Sequence, residues 1–296
     1  MSGKMDEKVF EKGGEDYYSI RSKDYLPFLG RSVKEVYTAK DIEGLDYDEK
    51  LGSPGEYPFT RGIYSQMYRG RLWTMRQLSG FGTPEDTRER MRFLAEQGAT
   101  GLSFVADEVS FCSIDGDHPL AQDEVGLTGV PLYSLRDMES LLDGVPIEKV
   151  STNIVINGCA TPSVMCQYIA VAQKRGLDVS KLRGVIQNSP FHNHWCSSLG
   201  GARYVDLFLK TAGDVVEYCI KNMPLWNPMN LNIHSVQPMG LSASKLIGLA
   251  CAMACPHFRE ALGRGLDVDE VAPKISLFVS VGVEFFTEVS KFRALR

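Results

Sequence analysis

The stretch 57–83, YPFTRGIYSQMYRGRLWTMRQLSGFGT, sets Arg61, Arg69, Arg71 and Arg76 among Tyr57, Phe59, Tyr64, Tyr68, Trp73 and Phe81. No acidic residue interrupts it, although the whole chain carries a formal charge of -5. Guanidinium forks match phosphate oxygens, and aromatic faces stack on a base or cover an apolar chain. A basic, aromatic, glycine-punctuated strip in an acidic protein points to a bound anion. The plainer alternative is a surface arm whose arginines pair with acids elsewhere, and spacing alone leaves both open. A second cluster is His192-Asn-His194-Trp-Cys196, whose alternate side chains on an extended segment could offer three metal ligands to an α/β metalloenzyme. A second group of ligands is missing nearby, so the expectation is a loop lining a pocket, with no metal.

Composition bounds the class. A chain of 296 residues with 44% hydrophobic content buries a sizeable core as one large or two smaller domains. No apolar run approaches the roughly 20 residues that span a bilayer, and the charged N-terminus lacks an apolar signal core. A cytoplasmic protein without membrane contact is expected. Mild acidity argues against nucleic acid. The seven cysteines form no paired CxxC framework, as expected of reduced, mostly buried thiols.

The strip needs a scaffold, and hydrophobic periodicity outlines one. Residues 1–56 read as polar and irregular, apart from the apolar patch YLPFLG (25–30), and LGSPGEYPF (51–59) as an extended arm. Thr83-Pro84-Glu85-Asp86 opens a helix with a cap, a first-turn proline and acids at the positive end of the macrodipole. Met91, Leu94 and Ala95 form its apolar stripe and Gly98 ends it. Strand 100–105 follows, then a looped stretch and a helix capped by Ser134 with Asp137 three residues on. Strand 150–156 leads to a helix from Thr161-Pro162 to Gly176. Strand 182–187 leads to a helix near 204–222, where Val205, Phe208, Leu209, Ala212, Val216 and Cys219 recur at helical spacing. Strand 229–233 precedes a helix from Ser242 toward Gly263, with a break expected at Cys255-Pro256. Strand 275–281 precedes a last helix, 283–296. Strands alternating with helices predict a parallel α/β sheet covered by helices. The pattern alone does not separate an open doubly wound sheet from an incomplete barrel.

The chain resembles the methylmalonyl-CoA mutase family of adenosylcobalamin-dependent acyl-CoA mutases. The matching segments are YPFTRG (57–62), MYRGRLWTMRQLSGFGT (67–83), GLSF (101–104), DHPLAQDEVGLTGV (117–130), IQN (186–188), WNP (226–228), GLDVDEVAP (265–273) and KFRALR (291–296). This resemblance implies a (β/α)8 barrel of which the chain holds about the first five β/α units. Residues 1–82 would form an N-terminal arm with the acyl-CoA-binding segment, and 83–296 the partial barrel. The family's cobalamin-binding DxHxxG motif is not found, so the cofactor would be held mostly by a separate domain or subunit. That partner and the rest of the barrel would make the protein a homo- or hetero-oligomer. By position, Tyr64, Met67, Arg71, Thr74, Arg76, Ser103, Gln187 and Ser276 match the family's acyl-CoA contacts. Ala106 and Thr128 fall on the cofactor side. At a barrel's carboxyl-terminal mouth the candidates are Ser103, Asn153, Asn157, Gln187, Asn188, His234, Ser235, Lys274 and Ser276.

The departures concern the acyl end. The methylmalonyl enzyme's tyrosine is Leu78 here. Its strand STSMTIN reads STNIVIN, bringing in Asn153 and Val155. After IQN the chain reads SPFHNHWCSSLGG, with Ser197 or Ser198 where the family has a carboxylate-gripping arginine and Arg203 nearby. The family's SGYH, whose histidine hydrogen-bonds the thioester carbonyl, becomes LNIHS, so His234 fits only with a one-residue slip. His234 is the expected carbonyl donor. A buried carboxylate without its cation is costly, so methylmalonyl-CoA is not the expected substrate. A less charged, bulkier acyl-CoA is expected instead. A non-catalytic acyl-CoA-binding paralogue remains the other reading.

Overall fold

The structure is a computed structural model that describes residue 34, residues 36–192 and residues 205–296. The apolar patch 25–30, His194, Trp195, Cys196, Ser197, Ser198 and Arg203 lie outside the described residues. The chain divides into two compact units. One comprises residues up to Arg71 with 241–247 and 281–296; the other comprises 72–240 and 248–280.

The larger unit is a parallel α/β array. Its strands are β1 (Gly101–Val105), β2 (Ser151–Val155), β3 (Gly184–Ile186), β4 (Trp226–Asn227), β5 (Met229–Asn232) and β6 (Ile275–Phe278). Helix α1 (Pro84–Glu96) precedes β1, α2 (Leu135–Leu142) precedes β2, α3 (Ala160–Lys174) follows β2, and α4 (Val205–Asn222) follows β3. Helix α5 (Ala243–Gly263) follows β5, and α6 (Phe285–Leu295) belongs to the smaller unit. The sheet order is β1-β2-β3-β4, with β5 pairing β6, all parallel. Consecutive order without reversal is the topology of a partial (β/α) barrel; a doubly wound sheet has a switch point.

Two details extend the expected five units. Only Pro228 separates β4 from β5, so together they form one strand position. Proline has no amide hydrogen for the ladder. Trp226 faces the helices, packed on Tyr168 with ring centroids 5.2 Å apart. Pro228 and Met229 both line a small cavity with Gly213, Val216 and His257 of the covering helices. Two successive residues on one side mark a bulge, which brings Asn230 onto the same face as Asn227. The second detail is a strand-like segment at residues 75–80. Ser79 N donates to Ser103 O (3.0 Å), Val105 N to Ser79 O (2.9 Å) and Thr100 N to Met75 O (3.0 Å). The stretch read from sequence as arm therefore runs parallel to β1 along its outer edge.

Local chemistry accounts for the helices. Thr83 and Ser134 form capping boxes with Asp86 and Asp137. Helix α3 starts at Ala160, one residue before the expected Thr161, and Gly176 closes it at φ 68°. The break expected at Pro256 is absent: α5 runs through it. Met253, His257 and Ala261 are buried along its face, and that packing outweighs one lost ladder bond. Between the sheet and α1–α4 lies the core of Phe104, Leu141, Ile154, Tyr168, Ile186 and Trp226. Gly184 is required there, because a Cβ would come within 2.4 Å of the Trp226 ring and of Thr152 O.

Candidate functional site

Register sorts the strand residues by face. Leu102, Phe104, Ile154, Ile186 and Trp226 point to the helices and belong to the core. Side chains alternate along a strand, so Ser103, Asn153, Val185 and Asn227, paired across the sheet, share the inner face. Asn153 Nδ2 donates to Ser103 Oγ at 2.8 Å, and Asn230 Nδ2 to Ser276 Oγ at 2.9 Å. Extending the Ser79–Phe104 bridge puts Arg76 beside Gly101 and Leu78 beside Ser103 on that face. Barrel interiors are ordinarily filled by branched apolar side chains. This one sets Gly101, Ser103, Ser151, Asn153, Asn227, Asn230 and Ser276 beside the branched Val105, Val155 and Val185.

The amino-terminal end of the inner face holds cations. Arg76 donates through Nη2 to Ser151 Oγ, and burial lowers its guanidinium pKa from the usual value. Gly101 makes room: a Cβ there would lie 2.7 Å from Arg76 Nε and from the Thr74 methyl. Lys274 precedes β6 and donates to Pro224 O, which corrects its expected place at the mouth. Ser103, Asn153 and Ser276 also sit within their strands and not beyond them. Tyr64, Met67 and Arg71 belong to the smaller unit, where Arg61 bonds Tyr47 Oη and lies over that ring at 5.7 Å. Among the described residues, no carboxylate pairs with Arg61, Arg69, Arg71 or Arg76.

The carboxyl-terminal end holds the imidazoles. His234 opens a 3-10 turn, Pro238 included, after β5. Its ring stacks on Phe278 at 4.8 Å and 17°. Ser280 Oγ bonds Nδ1, and Nε2 has no partner among the described residues. His192 sits between Asn157 (3.1 Å from Nδ1) and Ser235 (3.3 Å from Nε2). Sequence reasoning offered His192 as a metal ligand and missed this bridge, because its partners lie 35 and 43 residues away. Among the described residues no group of three His, Cys, Asp or Glu could hold a metal. Gln187 is 5% exposed on the inner face, with Oε1 unpartnered. Asn188 faces the helices instead, donating to Ala212 O at 3.0 Å.

Beside β1 the loop 107–130 returns to pair Val130 with Ala106. Ala106 is 1% exposed beneath Gly129, where a Cβ would meet Ala106 O at 2.2 Å. Thr128 is exposed next to exposed Leu127, Val125 and Leu120, giving an apolar ledge at the end of β1.

Behind the site, His257 is 5% exposed, 3.3 Å from Ser189 Oγ and edge-on to Phe191. Burial pushes its pKa down to about 4. The folded state thus favours neutral imidazole. This stabilisation is complete above the unfolded value near 6.5, declines as pH falls from there to about 4, and levels off below. Denaturant titrations should show about 1.4 kcal/mol lost per pH unit in that window from His257 alone. His257→Gln should flatten that slope.

The sequence matches the methylmalonyl-CoA mutase family over residues 28–296. It is 38% identical over 267 residues to the 2-hydroxyisobutanoyl-CoA mutase large subunit of Aquincola tertiaricarbonis, covering 89% of this chain and 46% of that protein. To the methylmalonyl-CoA mutase large subunit of Streptomyces virginiae it is 34% identical over 270 residues, 90% of this chain and 36% of that protein. The human mitochondrial methylmalonyl-CoA mutase is 33% identical over 270 residues, 90% of this chain and 35% of its own length. The chain thus spans less than half the length of these relatives. On the match over nearly its whole length, together with the consecutive parallel strands, the chain belongs to the methylmalonyl-CoA mutase family.

Proposed function

We propose that this chain is the acyl-CoA-binding part of an adenosylcobalamin-dependent mutase that rearranges the carbon skeleton of an acyl-CoA. The observation that carries this reading is the polar, small-residue inner face, with Arg76 and Ser151 at one end and His234 at the other. Strands rise about 3.3 Å per residue, so five residues separate the ends by about 15 Å, a span suited to an extended pantetheine arm. Arg76 and Thr74 of the larger unit hold the nucleotide end; Tyr64, Met67 and Arg71 of the smaller unit keep the acyl-CoA role that the family resemblance implies. Ser103, Asn153, Asn230 and Ser276 hydrogen-bond the amides of the arm. Lys274 adds positive charge at the entrance. At the mouth, Ser280 Oγ hydrogen-bonds Nδ1 of His234, and with the ring proton on Nε2 the imidazole donates to the thioester carbonyl. Gln187 orients the same group, and Leu78 packs the acyl chain.

The exposed ledge of Leu120, Val125, Leu127 and Thr128 would suit the flat, apolar face of a corrin, with Ala106 setting the floor. Adenosylcobalamin, when bound, supplies homolytic cobalt–carbon cleavage and thereby radical chemistry. The protein's task is to exclude water and hold the thioester still. β6 pairs only with β5 among the described residues, and an unpaired strand edge calls for a neighbour. A continuing or separate polypeptide completes the barrel and presents the cofactor, in a homo- or hetero-oligomer. No helix among the described residues is long and apolar enough to cross a membrane, and the described cysteines are unpaired, in keeping with a reducing, cytoplasmic setting. The acyl group is less charged than methylmalonyl.

The test is calorimetric titration of the assembled protein with coenzyme A esters, followed by turnover with adenosylcobalamin. Arg76→Ala is expected to weaken ester binding by roughly 10- to 100-fold, the loss of charge-assisted hydrogen bonds. Failure of every ester to bind overturns the reading, as does turnover of methylmalonyl-CoA in preference to uncharged esters for the acyl assignment.

A further inference from the structure

Among the described cysteines, Cys166, Cys251 and Cys255 are exposed. Cys166 stands alone on α3. Cys251 and Cys255 lie one turn apart on α5, which runs unbroken from Ala243 to Gly263, and residues four apart on a helix share a face. The opposite face anchors the helix: Leu246, Ala250, Met253, His257 and Ala261 are buried. Nothing bulky covers the thiols. A Cβ at Gly248 would meet no heavy atom within 4 Å, and Ala252 is exposed.

Helix geometry decides what the pair can do. Side chains four apart set their Cβ atoms about 5–6 Å from each other, whereas a disulfide needs about 3.5–4.5 Å. The helix therefore blocks an S–S bond within the pair. One bridging ion closes the gap instead, because two metal–sulfur bonds of about 2.3 Å, the zinc–thiolate length, hold sulfurs up to about 4.6 Å apart. Among the described residues no third His, Cys, Asp or Glu joins the pair to complete a larger ligand set. Ions that demand four strong ligands are thereby disfavoured. Cu(I) binds stably between two sulfurs, and soft thiolates select it. Pro256 has no amide hydrogen, so Ala252 O, in the turn between the two cysteines, lacks its ladder donor and offers a weak further contact. Arg259, exposed one turn beyond Cys255, supplies a counter-charge for the single negative charge of a bis-thiolate Cu(I) complex.

We propose that Cys251 and Cys255 form a two-thiolate site for a soft monovalent metal ion, Cu(I), on the exposed face of α5. Binding is ligand exchange without redox change: one Cu(I) enters, each thiol forms one sulfur–copper bond, and two protons leave. The ion ties two successive turns of α5 together. This site is separate from the acyl-CoA reading above and does not depend on it.

The experiment titrates the reduced, metal-free full chain with Cu(I) under anaerobic conditions against a chromophoric Cu(I) chelator. One ion is expected at this site, with two sulfur neighbours in its X-ray absorption spectrum. Cys251→Ser and Cys255→Ser should each weaken binding by roughly 100- to 10 000-fold, the value of a second ligand already held at high effective concentration. Cys166→Ser and Cys196→Ser should leave it unchanged. Cu(I) should raise the Tm of the unaltered chain and of neither Cys251→Ser nor Cys255→Ser. No retention of Cu(I) against the chelator, binding unmoved by both of those variants, or loss on Cys196→Ser instead overturns the proposal. Three or more sulfur neighbours also overturns it, because the extra thiolates would have to come from elsewhere in the chain.

Discussion

If His234 is the carbonyl donor proposed above, replacing it by alanine is expected to lower kcat of the assembled protein by roughly 100- to 1000-fold, the cost of removing one preorganised donor from a developing negative charge. Acyl-CoA dissociation constants should move by less than about threefold if, as proposed, the phosphate and pantetheine contacts carry the ground-state affinity. The reason lies in how the ring is held. Phe278 stacks on it and Ser280 bonds Nδ1, so the plane of the ring and the direction of Nε2 are set before substrate arrives. Phe278→Ala should therefore lose part of the same rate without touching the hydrogen bond. His234→Gln, which keeps a donor without the stacked plane, should fall between wild type and alanine. A comparable loss of affinity and rate on His234→Ala would instead mark the ring as a ground-state binding group. A kcat within a few-fold of wild type would remove it from the chemistry and turn attention to Gln187.

Those two residues also mark where the amino-acid sequence stops being informative. Caps at Thr83 and Ser134, the apolar period of α4 and the parallel class were legible because each depends on neighbours within a few residues. The choice between His234 and Ser235 was not, since a slip of one residue changes the face presented. In the structure the two have different neighbours: His234 lies on Phe278, whereas Ser235 faces His192. Residues 75–80 read as arm because Arg76 and Gly80 look unlike a buried strand, and their pairing to β1 is a tertiary fact. The Pro228 bulge is a similar case. Proline announces a break in the ladder, but only the cavity behind Met229 reveals which way the next side chain turns. At Pro256 the local rule failed outright, overridden by packing on both flanks.

Asp107→Ala is expected to be the most destabilising single change outside the core, by about 4 kcal/mol, with Tm falling by roughly 10 °C. The carboxylate is 0% exposed. It accepts from Ser110 N at 2.8 Å, from Gly126 N at 3.0 Å and from Tyr133 Oη at 2.6 Å. Burial first, and then Asp107, push the Tyr133 pKa upward, so the phenol keeps its proton and donates. Truncation would strand all three donors in a dry site, and unmade buried hydrogen bonds cost more than made ones return. The three donors come from the start of loop 107–130, from near its end and from Tyr133 just beyond it, so the carboxylate acts as that loop's clasp. Tyr133→Phe should cost only about 1 kcal/mol, and Asp107→Asn an intermediate amount, because an amide can still accept from two of the donors. A double-mutant cycle should return a coupling of at least 1 kcal/mol between Asp107 and Tyr133. Hydrogen exchange supplies the local check: Gly126 and Ser110 amides should lose protection in Asp107→Ala while the amides of β2 and β3 keep theirs. Uniform loss across the sheet would place Asp107 in the global folding unit rather than in the clasp, and an unchanged Tm would mean that water satisfies the three donors as well as the carboxylate does.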